Sequence, residues 1–316
     1  MIREAASGLN IGPDLYPMAN IGVPAAVPKV RSLTSRLNDY YVLTKPEVNL
    51  LILMTTSTGY LLAHSGRLNW LGLFNTVMGT LLVASGTATL NQFMEWRYDA
   101  DMKRTARRPV PAGRISPLES FCFGILLSVA GGIYLWVGVN RLTSLLAIST
   151  LLSYLLIYTP LKRKTPLCTF LGAFPGAMPT LIGWAGASAG LDRNAWLLFA
   201  VLFLWQFPHF LAIALMYRED YERAGYRMLP RFDHDGKFTR KEIITLTVLL
   251  VAVTLLPVLS FTPSAIYFLA TLAAGAFFFY YCVKLLSGNA RAAARVVHAS
   301  VMYLPIVLVL MVVFRA

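Results

Sequence analysis

Residues 194–216 read NAWLLFAVLFLWQFPHFLAIALM, a run in which no Asp, Glu, Lys or Arg occurs. A helix needs about 20 consecutive apolar residues to cross the hydrocarbon core of a bilayer, because its backbone groups must hydrogen-bond to one another where water is absent. The run therefore predicts a membrane-spanning helix. The whole chain of 316 residues is 57% hydrophobic and 14% charged, which is typical of a membrane protein.

Apolar runs of similar length recur along the chain. They predict an all-α polytopic membrane protein in which about nine transmembrane helices are bundled around a central cavity. The predicted helices lie at roughly 48–64, 71–95, 118–138, 142–159, 167–187, 194–216, 242–260, 263–285 and 296–314.

The basic residues lie almost entirely on one side of these helices. Of the 28 Lys and Arg residues, only Arg67, Arg141, Arg193 and Arg315 fall in segments on the other side. Loops rich in Lys and Arg stay in the cytoplasm, so we expect a cytoplasmic N-terminus and cytoplasmic basic loops. Topology thereby explains the net charge of +13, and no nucleic-acid partner is expected.

The first 40 residues differ from the rest of the chain. They contain Pro13, Pro17, Pro24 and Pro28, and they lack the continuous apolar segment of a secretory signal. We predict a flexible cytoplasmic N-terminal extension at 1–40 and a transmembrane domain at 41–316. Acidic residues in the extension argue against a mitochondrial transit peptide, which favours a bacterial inner membrane. The three cysteines lie singly and indicate neither disulfides nor a zinc site.

Three side chains that carry oxygen atoms lie at the C-terminal end of the second predicted span. Asn91, Glu95 and Asp99 have the spacing i, i+4, i+8 and so share one helical face. Carboxylates at membrane depth are costly and repel each other, and a divalent cation would offset both effects. Oxygen ligands favour Mg²⁺, which in proteins usually joins one or two carboxylates to a substrate's phosphates. We therefore predict a Mg²⁺ site that binds a phosphorylated substrate.

Two basic clusters are candidates for holding that substrate's phosphates. Arg104 and Arg108 follow the acidic residues, and Lys162 and Arg163 follow the fourth predicted span. Guanidinium groups match phosphate oxygens in geometry as well as charge. Either cluster can also be explained as a topology signal alone, with the acidic residues paired to basic neighbours in a solvated loop.

A second polar segment begins inside the sixth predicted span. His209 lies within the apolar run and is either a hydrogen-bonded core residue or a ligand. Glu219, Asp220 and Glu222 follow the span among arginines, and they supply either a second metal-binding or water-positioning group or a solvated set of ion pairs. Asp220 is the residue we favour for a catalytic role.

In these motifs the chain resembles the UbiA-type superfamily of intramembrane prenyltransferases, and within it the haem-modifying branch. The resemblance spans residues 40–315. The residues that carry it are Asn91, Glu95, Asp99, Met102, Arg104, Thr105, Arg108-Pro109, Ala112-Gly113-Arg114, Tyr158-Thr159, Leu161-Lys162-Arg163, Thr165, Pro179, Leu181-Ile182-Gly183-Trp184, Trp205-Gln206, Pro208-His209-Phe210, Asp220-Tyr221 and Ala224-Gly225.

The resemblance implies farnesyl diphosphate and haem b as substrates, Mg²⁺ as cofactor, and His209 as a residue that binds or orients the haem. It also implies a downstream haem-modifying or oxidase-assembly protein as a further partner. The chain departs from the wider superfamily in the second motif, where Tyr217 and Tyr221 stand at two positions that usually carry Asp. This departure leaves the ligands of a second metal ion open.

Three other functions compete with this one. A related prenyltransferase acting on a quinone precursor or a chlorin would be expected to have a fuller second Asp motif. A transporter would carry its acidic residues halfway across the bilayer, whereas here they cluster at one end of the predicted spans. A non-catalytic assembly factor would have no use for paired acidic and basic motifs.

Overall fold

The chain folds almost entirely into helix, which confirms the predicted all-α class. The computed structural model describes residues 32–288 and 290–316, and no β-strand occurs among them. The α-helices of these residues are α1 (Leu33–Leu43), α2 (Pro46–Ala63), α3 (Trp70–Asp99), α4 (Pro117–Gly138), α5 (Arg141–Leu152), α6 (Thr159–Leu161), α7 (Cys168–Ser188), α8 (Arg193–Met216), α9 (Arg218–Arg223), α10 (Lys237–Leu255), α11 (Ala265–Lys284) and α12 (Ala290–Val313).

Within the described residues, seven helical segments are long and apolar enough to cross a membrane. They are Trp70–Asp99, Pro117–Gly138, Arg141–Leu161, Arg193–Met216, Lys237–Leu259, Ala265–Ser287 and Arg291–Val313. The third of these joins α5 and α6 through a π-helical stretch, Ser153–Tyr158. The two remaining predicted spans correspond to α2 and α7, which have 18 and 21 residues.

Helices α2 and α7 approach each other closely. Gly59 of α2 lies against the Thr180 carbonyl, and Gly183 of α7 lies against the Thr56 carbonyl, so that an added Cβ at either glycine would collide with backbone. Small residues allow membrane helices to approach this closely. Four polar side chains of α2 are buried inside the bundle, namely Asn49, Thr55, Thr56 and Thr58.

Residues 33–40 of the predicted N-terminal extension lie in α1, which begins at Leu33. The Ser32 hydroxyl caps this helix by accepting a hydrogen bond from the Ser35 N–H at 3.2 Å. Asp39 is 3% exposed and pairs with Arg114 at 2.7 Å, which fixes α1 to the chain between α3 and α4. Sequence reasoning missed this helix because its partner lies 75 positions away. The rest of the predicted extension, residues 1–31, lies outside the described residues.

Two loops close over one end of the bundle, which we call the basic end, where α3 and α8 both terminate. The chain after α3 forms a series of turns up to Pro117, and the chain after α8 forms α9 and a 3-10 turn, Leu229–Arg231. Met102 of the first loop is buried against Ala224 and Tyr226 of the second. The loops therefore form one cap, although about 120 residues separate them in sequence.

Candidate active site

The three polar residues at the end of α3 lie together beneath this cap. Asn91, Glu95 and Asp99 are 1%, 6% and 1% exposed, as their shared helical face predicts. The Asn91 amide donates hydrogen bonds to Glu95 Oε2 at 2.9 Å and to Thr159 Oγ1 at 3.2 Å. Thr159 follows the π-helical stretch of the third span, and such stretches are frequent at functional sites.

Lys162 is the partner of Glu95. Its Nζ lies 2.9 Å from Oε1 and 3.2 Å from Oε2 of the carboxylate, and the residue is 9% exposed. Its ammonium also lies 4.5 Å from the centre of the Tyr158 ring. Burial lowers the pKa of Lys162, but the Glu95 carboxylate outweighs burial and holds this pKa well above its ordinary value. Lys162 therefore carries a positive charge in the site.

Arg108 pairs with the second buried carboxylate. Its Nη1 donates to Asp99 Oδ2 at 2.7 Å, and the hydroxyl of Thr105 donates to the Asp99 carbonyl at 2.8 Å. These two bonds fold the loop after α3 back over the end of its own helix. Arg108 and Lys162 come from the two predicted basic clusters. The structure brings both into contact with the last turns of α3.

Lys45 is a site residue that sequence reasoning missed. Its Nζ donates to Asn91 Oδ1 at 2.9 Å, and its backbone is left-handed with φ of 52°. Burial, together with the charges of Arg108 and Lys162, lowers the pKa of Lys45 to about 7. The available signal was the pair Lys45-Pro46. Proline is common at the first position of a helix, so the preceding lysine is expected just before the helix begins.

The second loop contributes Asp220, which is 9% exposed. Its Oδ1 accepts from Arg223 at 3.1 Å, and its Oδ2 accepts from the backbone N–H of Arg104 at 3.4 Å. The Arg104 guanidinium lies 5.1 Å from the ring centre of Tyr217 and 6.0 Å from that of Tyr221. The two tyrosines that replace acidic residues thus face Arg104 through their π systems rather than through carboxylates.

Arg163 lies at the exposed rim of this arrangement. Its Nη1 donates to the Tyr98 hydroxyl at 2.5 Å, and its guanidinium stands 3.9 Å from the centre of the same ring. Tyr98 also meets Tyr226 edge to face, with ring centres 6.5 Å apart. Arg163 therefore borders the buried pairs from the side of the second loop.

Comparison with known proteins identifies the family of this chain. Residues 52–307 match the model of the UbiA prenyltransferase family. The chain belongs to the UbiA prenyltransferase family. Its membrane helices make it an integral membrane member, and the sequence-based prediction of a prenyltransferase is confirmed at this level.

Two curated UbiA relatives are similar over almost their whole length. A protein of Solibacter usitatus (strain Ellin6076), named protoheme IX farnesyltransferase, is 45% identical over 88% of this chain and 99% of its own. A protein of Koribacter versatilis (strain Ellin345) with the same name is 40% identical over 94% of this chain and 99% of its own.

Solved structures show the same fold at lower identity. A structure described as digeranylgeranylglyceryl phosphate synthase has a TM-score of 0.72 at 20% identity and covers 89% of this chain and 98% of its own. A UbiA homolog from Archaeoglobus fulgidus bound to GPP and Mg²⁺ has a TM-score of 0.58 at 12% identity and covers 86% of this chain and 99% of its own.

His209 of this UbiA-family chain has its hydrogen-bond partner on α12. Its Nδ1 lies 2.7 Å from the Ser300 hydroxyl, and its ring stacks on Trp205 with centres 4.7 Å apart. The imidazole is partly exposed, whereas Trp205 is buried. His209 makes no hydrogen bond to the residues of the first acidic motif, which are Asn91, Glu95 and Asp99.

The chemistry of the donor atoms fits Mg²⁺. Within residues 32–288 and 290–316, no group of three or more His, Cys, Asp or Glu side chains is arranged to hold a metal ion. The predicted ligands Asn91, Glu95 and Asp99 provide two carboxylates and an amide oxygen, which matches an ion that takes one or two carboxylates together with substrate phosphates. Each of the three now has a protein cation as its partner.

Proposed function

We propose that this chain transfers a farnesyl group from farnesyl diphosphate to a vinyl group of haem b, giving haem O. The name shared by relatives 45% and 40% identical to it supports this choice of substrates. The observation that carries the reaction type is the pairing of the two buried carboxylates of α3 with Lys162 and Arg108. Buried charges of both signs at one end of a membrane bundle suit a ligand that is itself a pair of charges, such as a diphosphate with bound Mg²⁺.

Three cations of the site serve the diphosphate. Lys45, Arg108 and Lys162 come from three separate parts of the chain, and each bonds to a residue of the first acidic motif. An incoming diphosphate draws these groups from their present partners toward its own oxygens. Their charges then stabilise the leaving group as negative charge develops on it, in a site where low dielectric strengthens the interaction.

The same exchange frees the acidic side chains for Mg²⁺. Asn91, Glu95 and Asp99 would hold the ion, and Asp220 would supply a further carboxylate from the second loop. Bound Mg²⁺ supplies Lewis-acid stabilisation of the diphosphate charge. The relative from Archaeoglobus fulgidus bound to GPP and Mg²⁺ supports this use of a metal in the family. Arg104 and Arg163 border the diphosphate from the rim and close the site to solvent.

Bond breaking and bond making then follow in order. The allylic C–O bond breaks, and the diphosphate leaves with the bonding electron pair. The terminal carbon of a haem vinyl group donates its π pair to the allylic cation, which forms the new C–C bond. Positive charge moves to the vinyl carbon beside the macrocycle, where a water oxygen adds and releases one proton. The chain's residues orient these partners and form no covalent bond to them.

His209 binds the haem in this proposal. Neutral imidazole is a common ligand of haem iron, and the partly exposed ring lies inside a predicted membrane span, at the depth of an apolar macrocycle.

The basic end of the bundle faces the cytoplasm of a bacterial inner membrane, because the side richer in Lys and Arg stays inside.

Product analysis tests the function directly. Purified protein in lipid nanodiscs is incubated with farnesyl diphosphate, Mg²⁺ and, in parallel reactions, haem b, a quinone precursor or a chlorin, and the extracted products are identified by mass. The expected product is haem b carrying one farnesyl group and one hydroxyl group. Formation of prenylated quinone precursor or chlorin, without prenylated haem, would instead assign the chain to the alternative acceptor class.

A further inference from the structure

The imidazole of His209 is held by a small hydrogen-bonded unit between α8 and α12. Nδ1 of His209 lies 2.7 Å from Oγ of Ser300, and the Ser300 hydroxyl lies 2.7 Å from the Val297 carbonyl. Trp205 stacks on the imidazole with an interplanar angle of 18° and donates its Nε1–H to the Ser300 carbonyl at 2.8 Å. Two side chains of α8 are thus fixed to one residue of α12.

This unit determines which nitrogen of His209 carries the proton. The Val297 carbonyl can only accept a hydrogen bond, and the Ser300 hydroxyl has a single proton to give. Both contacts are satisfied when the hydroxyl donates to Val297 and accepts from Nδ1–H of His209. The neutral ring then has its proton on Nδ1 and a free electron pair on Nε2. Among the described residues, nothing hydrogen-bonds to Nε2.

We propose that Ser300 is a positioning residue, which presents Nε2 of His209 as a ligand to the iron of the haem acceptor. This inference rests on the proposed function, because it takes haem b as the substrate. Histidines that bind metals usually donate their other N–H to an oxygen, which fixes the ring and makes the ligating nitrogen more basic. The hydroxyl of Ser300 fills that role, and the stacked Trp205 sets the plane of the ring.

The environment of His209 suits a flat apolar ligand. Phe210, the next residue, is 42% exposed and meets the imidazole edge to face at 5.2 Å. Trp205 is 3% exposed and covers one face of the imidazole, and His209 itself is partly exposed. A macrocycle ligated at Nε2 would lie edge-on to this ring and contact Phe210.

Haem binding measured without farnesyl diphosphate or Mg²⁺ tests this role independently of catalysis. Ferrous haem b is titrated into wild type, His209→Ala, Ser300→Ala and Ser300→Thr in nanodiscs, and affinity and the iron–histidine stretching band are recorded. Loss of a hydrogen bond behind a metal ligand lowers affinity by about 10–100-fold, so Ser300→Ala is expected to weaken binding by this factor and to shift the band. Ser300→Thr keeps the hydroxyl and is expected to restore both.

Each outcome decides one point. A wild-type affinity and band in Ser300→Ala would overturn the role of Ser300, and an unchanged band in His209→Ala would overturn ligation by His209. Farnesyl diphosphate binding, which depends on α2, α3 and Lys162, serves as the folding control for all variants. Farnesylated haem formed by a wild type that lacks the histidine band would refute this inference alone. The expected band without any farnesylated haem would refute the proposed function alone.

Discussion

Nζ of Lys162 lies 2.9 Å from Oε1 of Glu95, although 67 positions separate the two residues in sequence. Both side chains are buried, and the Asn91 amide holds the other oxygen of the carboxylate. This ion pair joins α3 to the chain after α6 directly beneath the cap formed by the two loops. It therefore links the stability of the basic end to the chemistry proposed there.

Removing the lysine of this pair is expected to damage both properties. Lys162→Met leaves the Glu95 charge buried without its partner, which costs about 3–5 kcal/mol of stability. Loss of one group that stabilises the leaving diphosphate is expected to lower kcat/KM by roughly 10²–10³-fold. Thermal unfolding and steady-state farnesyl transfer measure the two effects.

Two further variants separate stability from catalysis. Lys164→Met removes an exposed lysine two positions away and is expected to behave as wild type. The double variant Lys162→Met/Glu95→Gln removes both charges, so it is expected to regain most of the lost stability but none of the activity. Recovery of activity in the double variant would show that the charges of Lys162 and Glu95 have only a structural role.

The acidic residues are expected to control the Mg²⁺ requirement. Asp99→Asn keeps the size of the side chain but loses a charged oxygen ligand, so we expect activity to fall by about 10²–10³-fold and half-saturation to require more Mg²⁺. Farnesyl transfer measured across a Mg²⁺ titration gives both values. Asp101→Asn, at an exposed position two residues after α3 ends, is the matched control. Equal Mg²⁺ curves for Asp99→Asn and wild type would exclude Asp99 as a ligand.

Binding of farnesyl diphosphate is expected to weaken as the pH rises above about 7. Burial depresses the pKa of Lys45 to about 7, so the free protein loses this positive charge above that pH, well below the range of an ordinary lysine. A bound diphosphate favours the protonated form, and one linked proton changes Kd by up to about tenfold per pH unit. The Kd of wild type is therefore expected to rise between pH 7 and 9.

Lys45→Arg is the comparison that isolates this proton, because an arginine stays charged throughout this range. Equilibrium binding is measured for both proteins from pH 6 to 9. Dividing the Kd of wild type by the Kd of Lys45→Arg cancels the effect of the diphosphate's own ionisation. This ratio is expected to rise above pH 7. A ratio that stays constant with pH would show that Lys45 does not lose its proton in the free protein.

The close contact of α2 and α7 predicts a stability effect away from the site. Gly183→Ala forces a methyl group against the Thr56 carbonyl, and overpacking of this kind typically costs about 1–3 kcal/mol. Gly190→Ala adds a methyl group in open space and is expected to leave stability unchanged. Reaction of the buried thiols Cys168 and Cys282 with a fluorogenic reagent during heating reports unfolding, after the exposed Cys122 is replaced by Ser. Equal unfolding temperatures for the two glycine variants would contradict the contact.

Sequence alone determined those features that depend on neighbouring residues along the chain. Hydropathy over about 20 residues predicted the positions of the long helices, and the spacing of Asn91, Glu95 and Asp99 predicted their common face. Both depend only on helical geometry and on the solvent that a segment meets. The order of the motifs was also sufficient for the family, which the match over residues 52–307 confirms.

Tertiary structure alone decided which charges meet. The sequence did not single out Lys45, and it left Lys162 either as a phosphate-binding residue or as a topology signal. A basic residue beside a span has the same sequence pattern whether it faces water or a buried carboxylate. The contacts of these two lysines with Asn91 and Glu95 cross 46 and 67 positions and exist only after the helices pack. The Asp39–Arg114 pair that fixes α1, and the Ser300 hydroxyl that orients His209, are long-range in the same way. A local pattern fixes the face of a helix on which a side chain lies, but only packing brings that face to its partner.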